Sequence, residues 1–166
     1  MTVARLGALV AALMTAGCER GDWQEFAARH ATYRFPAGDV DTVITKDRRF
    51  IRLTPAGEEF ALVFDSRLDG LADADGRPRV FGMSRGPIAG LRRVETPAGI
   101  AVCRTAMART ECGLPVMHGG DHWSMLFPAG RIAGAEAMDR RARAFLQRHD
   151  AAESGAERND GDADRR

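Results

Sequence analysis

Lysine is almost missing from this chain: Lys46 stands alone against 23 arginines. The bias gives no basic surplus, because 24 basic side chains meet 23 acidic ones and the formal net charge is +1. That near-balance removes the electrostatic case for nucleic acid, whose binding rests on a cationic surface. Cysteine occurs three times and never as Cys-x-x-Cys, so the common dithiol redox motif is excluded. No apolar run reaches the roughly 20 residues that a bilayer-spanning helix needs. A length of 166 residues leaves no room for a full (β/α)₈ barrel or a two-domain dehydrogenase. What is present, 45% hydrophobic and 28% charged residues, is the composition of one globular domain.

The chain opens Met1-Thr-Val-Ala-Arg5 and then runs from Leu6 to Cys18 without a charge. One positive residue followed by a short apolar stretch is the plan of a secretory signal. The segment Met14-Thr15-Ala16-Gly17-Cys18 resembles the lipobox of bacterial lipoproteins, with Thr15 standing where leucine is commonest. That resemblance implies removal of residues 1–17 and a diacylglycerol thioether on Cys18. A mature chain of 149 residues is left once the first 17 of 166 are gone. Two or more acyl chains, at about 0.8 kcal/mol per buried methylene, anchor stably. Glu19 is not the aspartate that resembles an inner-membrane retention signal, which favours the outer membrane over the cell membrane. The expected location is thus lipid-anchored, with the domain facing the periplasm.

With Cys18 assigned to lipid, Cys103 and Cys112 remain, an even number in an oxidising compartment. They are expected to form a disulfide closing a short loop, a contribution of about 2.5 to 3 kcal/mol in the chain-entropy model. Two free thiols are the alternative.

Four segments follow from the patterning: the signal at 1–17, an anchor with a short helix at 18–31, an α+β domain at 32–149, and a disordered polar tail at 150–166. Asp22 is placed to cap a helix over 23–30, with Trp23, Phe26 and Ala27 on one face. From Tyr33 onward the period is two. Strands are expected at 32–35, 40–45, 49–54, 60–64, 79–83, 91–96, 100–104 and 123–127. Pro-Ala-Gly recurs at Pro36, Pro55, Pro97 and Pro128, where proline at i+1 and glycine at i+3 suit a reversing turn. Asp75-Gly76 reads as a hairpin turn joining the strands that end at Asp65 and begin at Arg79. Past Gly130 a helical stripe of Ala135, Met138, Ala142, Phe145, Leu146 and His149 calls for a docking partner. Beyond it, six acids, three arginines and nothing apolar larger than alanine leave no means to offset chain entropy.

Three segments carry chemical side chains. Gly82-Met83-Ser84-Arg85-Gly86 matches the Gly-x-Ser-x-Gly nucleophile elbow, but Pro87 and Gly90 leave no room for the helix that completes an oxyanion hole. Its downstream partners in triad order are Asp121 and His149. His118-Gly-Gly-Asp121-His122 collects zinc-binding residue types, although across two glycines the imidazoles do not share a face as they do on a helix. Asp69-Gly-Leu-Ala-Asp73-Ala-Asp75-Gly76 lacks both end ligands of a calcium loop. Arg92-Arg93 and Arg140-Arg141 are candidate contacts to lipid headgroups or envelope polyanions.

The expected molecule is an antiparallel sheet with a C-terminal amphipathic helix packed on it, in the α+β class. Its expected role is a non-catalytic binding or interaction module needing no cofactor, with a partner among envelope proteins or cell-wall components. The alternative is a small envelope hydrolase using Ser84, or a metal held by His118, Asp121 and His122.

Overall fold

The computed structural model describes residues 22–46, 48–72, 76–81, 91–106 and 109–152. The signal segment, Cys18, Ser84 with its flanking glycines, and the tail from residue 153 lie outside them.

Two layers build the molecule. A seven-stranded sheet runs in the order β3-β4-β5-β9-β8-β7-β6, every pair antiparallel. Its strands are β3 (Val40–Ile44), β4 (Phe50–Leu53), β5 (Ala61–Asp65), β6 (Arg92–Thr96), β7 (Gly99–Ala106), β8 (Arg109–His118) and β9 (Asp121–Pro128). A separate ribbon of β1 (Trp23–Ala27) and β2 (Thr32–Pro36), together with the helix α1 (Ala135–His149), covers one face. The antiparallel sheet with its C-terminal helix is the expected α+β architecture.

Side chains on a strand alternate between faces, so register decides the core. On the covered face Ile51, Phe64, Trp123 and Val116 lie in one cross-strand row, and Leu53, Leu62, Met125 and Leu114 in the next. All eight are buried, and Trp123 is fully enclosed. From the helix, Met138, Phe145 and Leu146 descend into this layer, each contributing about 1.5 to 3 kcal/mol of apolar burial. Cys103 and Cys112 sit directly opposite each other on β7 and β8, their sulfurs 2.03 Å apart in a disulfide within the same core.

The other face is only partly covered. Val80 and Phe81 lie over Leu126, with Val63 and Val102 packed alongside. Gly113 makes room for them, since a Cβ there would lie 2.2 Å from Val80 Cγ1.

Several expectations are corrected. Residues 23–27 form a strand and not the first turns of a helix, because pairing Phe26 opposite Tyr33 buries both on the aromatic core. Burial gained in the tertiary structure outweighs the local helical spacing. The longest strand, β8, was not expected, because Gly113 and Pro115 punctuate it. Pro115 lies beyond the last residue that β7 pairs, so on that side β8 is an edge and the missing N–H is tolerated. No strand begins at Arg79. β5 pairs instead with β4 and β9, and Gly76 belongs to a small local reversal bridged by Ala72 and Pro78. Pro-Ala-Gly has two outcomes. At Pro97 it is the two-residue hairpin between β6 and β7, and at Pro55 the turn is shifted, Glu58 N–H donating to Pro55 O. At Pro36 and Pro128 it ends a strand and starts a 3-10 turn. Finally, Asp150 belongs to the folded body and not to the tail, being 6% exposed and bridged to Tyr33.

Candidate functional site

The polar groups of the molecule gather at one end of the sheet, around the turn from β8 to β9. His118 pairs with Asp121 across Gly119 and Gly120, whose φ values of 57° and 84° make the two-residue turn that twisted hairpins favour. Asp121 and His122 are consecutive on β9, so their side chains leave on opposite faces.

Asp121 enters the covered face and is fully buried. Its Oδ1 accepts the backbone N–H of Arg29 at 3.0 Å and of His30 at 2.8 Å; its Oδ2 accepts the N–H of Ala31 at 3.1 Å and lies 3.2 Å from Tyr33 Oη. The carboxylate thereby closes the turn between β1 and β2 and ties the ribbon to the sheet. Tyr33 in turn accepts from Trp123 Nε1 at 3.4 Å, and burial above all pushes its phenol pKa up, so it stays protonated. On the same side His118 Nε2 is 3.1 Å from Asp150 Oδ2, which fastens the end of the helix to the turn.

His122 enters the other face, 5% exposed, and faces Asp69. Its backbone N–H donates to Asp69 Oδ1 at 3.3 Å. Burial is the main influence on its imidazole and lowers the pKa, which leaves the ring neutral near pH 7. Its Nε2 is buried without a hydrogen-bond partner among the described residues. Asp69 Oδ2 likewise accepts no hydrogen bond among the described residues, on a side chain that is 4% exposed. It forms an ion pair with the Arg29 guanidinium at 3.5 Å, on a side chain that is 61% exposed. His30 reaches over Gly120 from the ribbon turn. Ligand atoms of His30, Asp69 and Asp121 lie within 4.8 Å of one another, and His30, Asp69 and His122 line one cavity of about 270 Å³.

The trio His118, Asp121 and His122 therefore does not converge as a metal site. His118 and Asp121 are spent on structural bonds, and His122 points away from both. Sequence reasoning missed His30 and Asp69 as its neighbours; they stand 92 and 53 residues from His122 in the chain, and no local motif announces either. His149, the downstream histidine of a triad order, puts Nδ1 2.9 Å from the Arg34 carbonyl and packs its ring on Phe145. Cys103 and Cys112, joined to each other, are not available as thiolate ligands.

A second feature is a groove of about 880 Å³ on the uncovered face. Ala61 and Leu126 floor it, and Arg52, Arg104 and Arg109 stand around it. Glu58, Glu59 and Glu111 also line it, each already paired with an arginine: Arg141, Arg131 and Arg104. Of the arginine pairs singled out in the sequence, Arg140 and Arg141 both hold glutamates, and Arg92 and Arg93 lie on the edge strand β6.

No family model, curated protein or solved structure matches the chain. Among the described residues no helix is long and apolar enough to cross a membrane.

Proposed function

We propose that this chain is an envelope lipoprotein, acylated at Cys18, whose domain is a non-catalytic binding module facing the periplasm. The observation that carries the reading is the buried Cys103–Cys112 disulfide, which favours an oxidising compartment and agrees with the address that the lipobox resemblance implies. The open groove on the uncovered face supports a binding role, offering an apolar floor and the cationic Arg109 to an envelope protein or cell-wall component, while Arg52 is paired with Asp41. The hydrolase alternative draws no support from His118 or His149, whose nitrogens at Asp150 and Arg34 serve structural bonds.

The test is the intact mass of the protein extracted from membranes, before and after reduction and thiol alkylation. A chain beginning at Cys18 with added lipid, and two cysteines that alkylate only after reduction, is the expected result. An unlipidated chain with three freely alkylating cysteines overturns the reading. For the binding surface, a photo-crosslinking residue at Arg109 is expected to capture an envelope component, while one at Arg140 on the outer side of α1 captures none. Equal capture at both positions counts against the groove.

A further inference from the structure

We propose that the outer face of the β1–β2 ribbon docks on a phospholipid bilayer, with the Trp23 indole seated in the headgroup layer. The inference rests on the reading of Cys18 as a lipid anchor and names what the anchored domain touches. Three observations converge at the open end of the ribbon. First, Trp23 is 52% exposed, more than any other large hydrophobic side chain among the described residues. A large apolar ring with one N–H suits the boundary between lipid and water, where indoles collect. Second, register fixes which way it points. Phe26, Tyr33 and Phe35 fill the inner face of the ribbon and are buried, so Trp23, paired with Pro36, lies with Glu25 and Arg34 on the outer one. The His149 ring lies beside the indole, centroids 6.0 Å apart. Third, the tether is short. Cys18 and Trp23 are five residues apart in the chain, and even fully extended that stretch spans about 18 Å at most. Acylation at Cys18 therefore holds this end of the domain against the membrane surface, and so short a leash makes seating of the indole an intramolecular step at high effective concentration.

The charges on this face agree with a phospholipid partner. Glu25 and Arg34 lie directly opposite each other across the ribbon, and exposed Asp22 and Arg148 adjoin Trp23 and His149 in the chain. Two acids and two arginines give no excess of one sign, which matches a zwitterionic headgroup layer carrying both phosphate and ammonium. The other end of the ribbon is turned elsewhere, since Asp121 fastens residues 29–31 to the β8–β9 turn. Because the ribbon lies on the covered face of the sheet, docking its outer side turns the groove of the uncovered face away from the bilayer.

The experiment uses the acylated full chain, its acylation established by intact mass, reconstituted into phosphatidylcholine vesicles. Tryptophan emission is read in plain lipid and in lipid brominated on its acyl chains, with iodide as the quencher in water. In wild type, brominated lipid is expected to lower the emission and iodide to reach little of it. Trp23→Phe is expected to abolish the lipid quenching and leave the emission of Trp123, which is fully buried and reports folding in every variant. Met117 gives the control, being 47% exposed and lining a cavity with His30 at the ribbon turn. Met117→Trp, made in the Trp23→Phe chain, is expected to be quenched by iodide and not by brominated lipid. An acylated chain whose Trp23 stays open to iodide and untouched by brominated lipid overturns the docking while leaving the anchor in place. Equal lipid quenching at positions 23 and 117 also overturns it, since the domain would then have no preferred side toward the bilayer. A chain that carries no lipid removes the anchor reading and the docking with it.

Discussion

Two buried carboxylates at one end of the sheet are employed in opposite ways. Asp121, on the side covered by ribbon and helix, has every oxygen lone pair met: three backbone N–H groups and a phenol surround it. Asp69, on the uncovered side, accepts one backbone N–H at Oδ1, while Oδ2 takes no hydrogen bond among the described residues and forms an ion pair with the exposed Arg29 guanidinium at 3.5 Å. The same residue type is a fastening in one place and, in the other, half of an ion pair on a cavity wall. What separates them is the count of satisfied lone pairs, since burial is similar for both. Natural domains keep such unsatisfied groups where function, not stability, retains them.

The comparison breaks first at Asp121. Asp121→Asn swaps one acceptor oxygen for an amide that faces donors, so urea unfolding is expected to show a loss of about 2 to 4 kcal/mol. Amide exchange is expected to quicken in the ribbon turn at 29–31 more than in β4 or β5. The uncovered face is tested by Gly113→Ala, whose methyl meets Val80 Cγ1 at 2.2 Å. Here the loss is about 1 to 3 kcal/mol, with exchange raised around Val80 and Phe81. A smaller effect lies at the far end of the helix. Burial, ahead of the Arg148 charge, lowers the His149 pKa from the usual 6.5, against the opposing pull of the Arg34 carbonyl and Asp39. The unfolded chain takes up its proton near 6.5 and the folded one only at lower pH. This contribution is therefore whole above that value and lost as pH falls through and below it. The urea midpoint is expected to drop on acidification from pH 7, and to drop less in His149→Gln.

The sheet, the disulfide and the C-terminal helix were legible in the sequence because each is written locally, in alternation, in an even cysteine count and in a helical stripe. Residues 23–27 were not, since Trp23, Phe26 and Ala27 fit a helical face and a strand equally until the aromatic core claims Phe26 opposite Tyr33. β8 was obscured by a proline that only its position beyond the end of β7's pairing makes tolerable. The site was half legible. Period-two alternation alone tells that Asp121 and His122, adjacent on a strand, cannot aim at one ion. Their real neighbours, His30 and Asp69, come from a ribbon turn and a loop that meet only in the fold.

The division between a carboxylate that fastens the fold and one that does not is tested most directly by one paired urea denaturation, Asp121→Asn against Asp69→Asn, with the disulfide intact. The account predicts the large loss given above for the first and a change below about 1 kcal/mol for the second, because the amide oxygen of Asn can keep the one backbone N–H that Asp69 accepts and the pair it loses is with a largely exposed arginine. Equal losses in the two variants would contradict it, and would make Asp69 as structural as its neighbour.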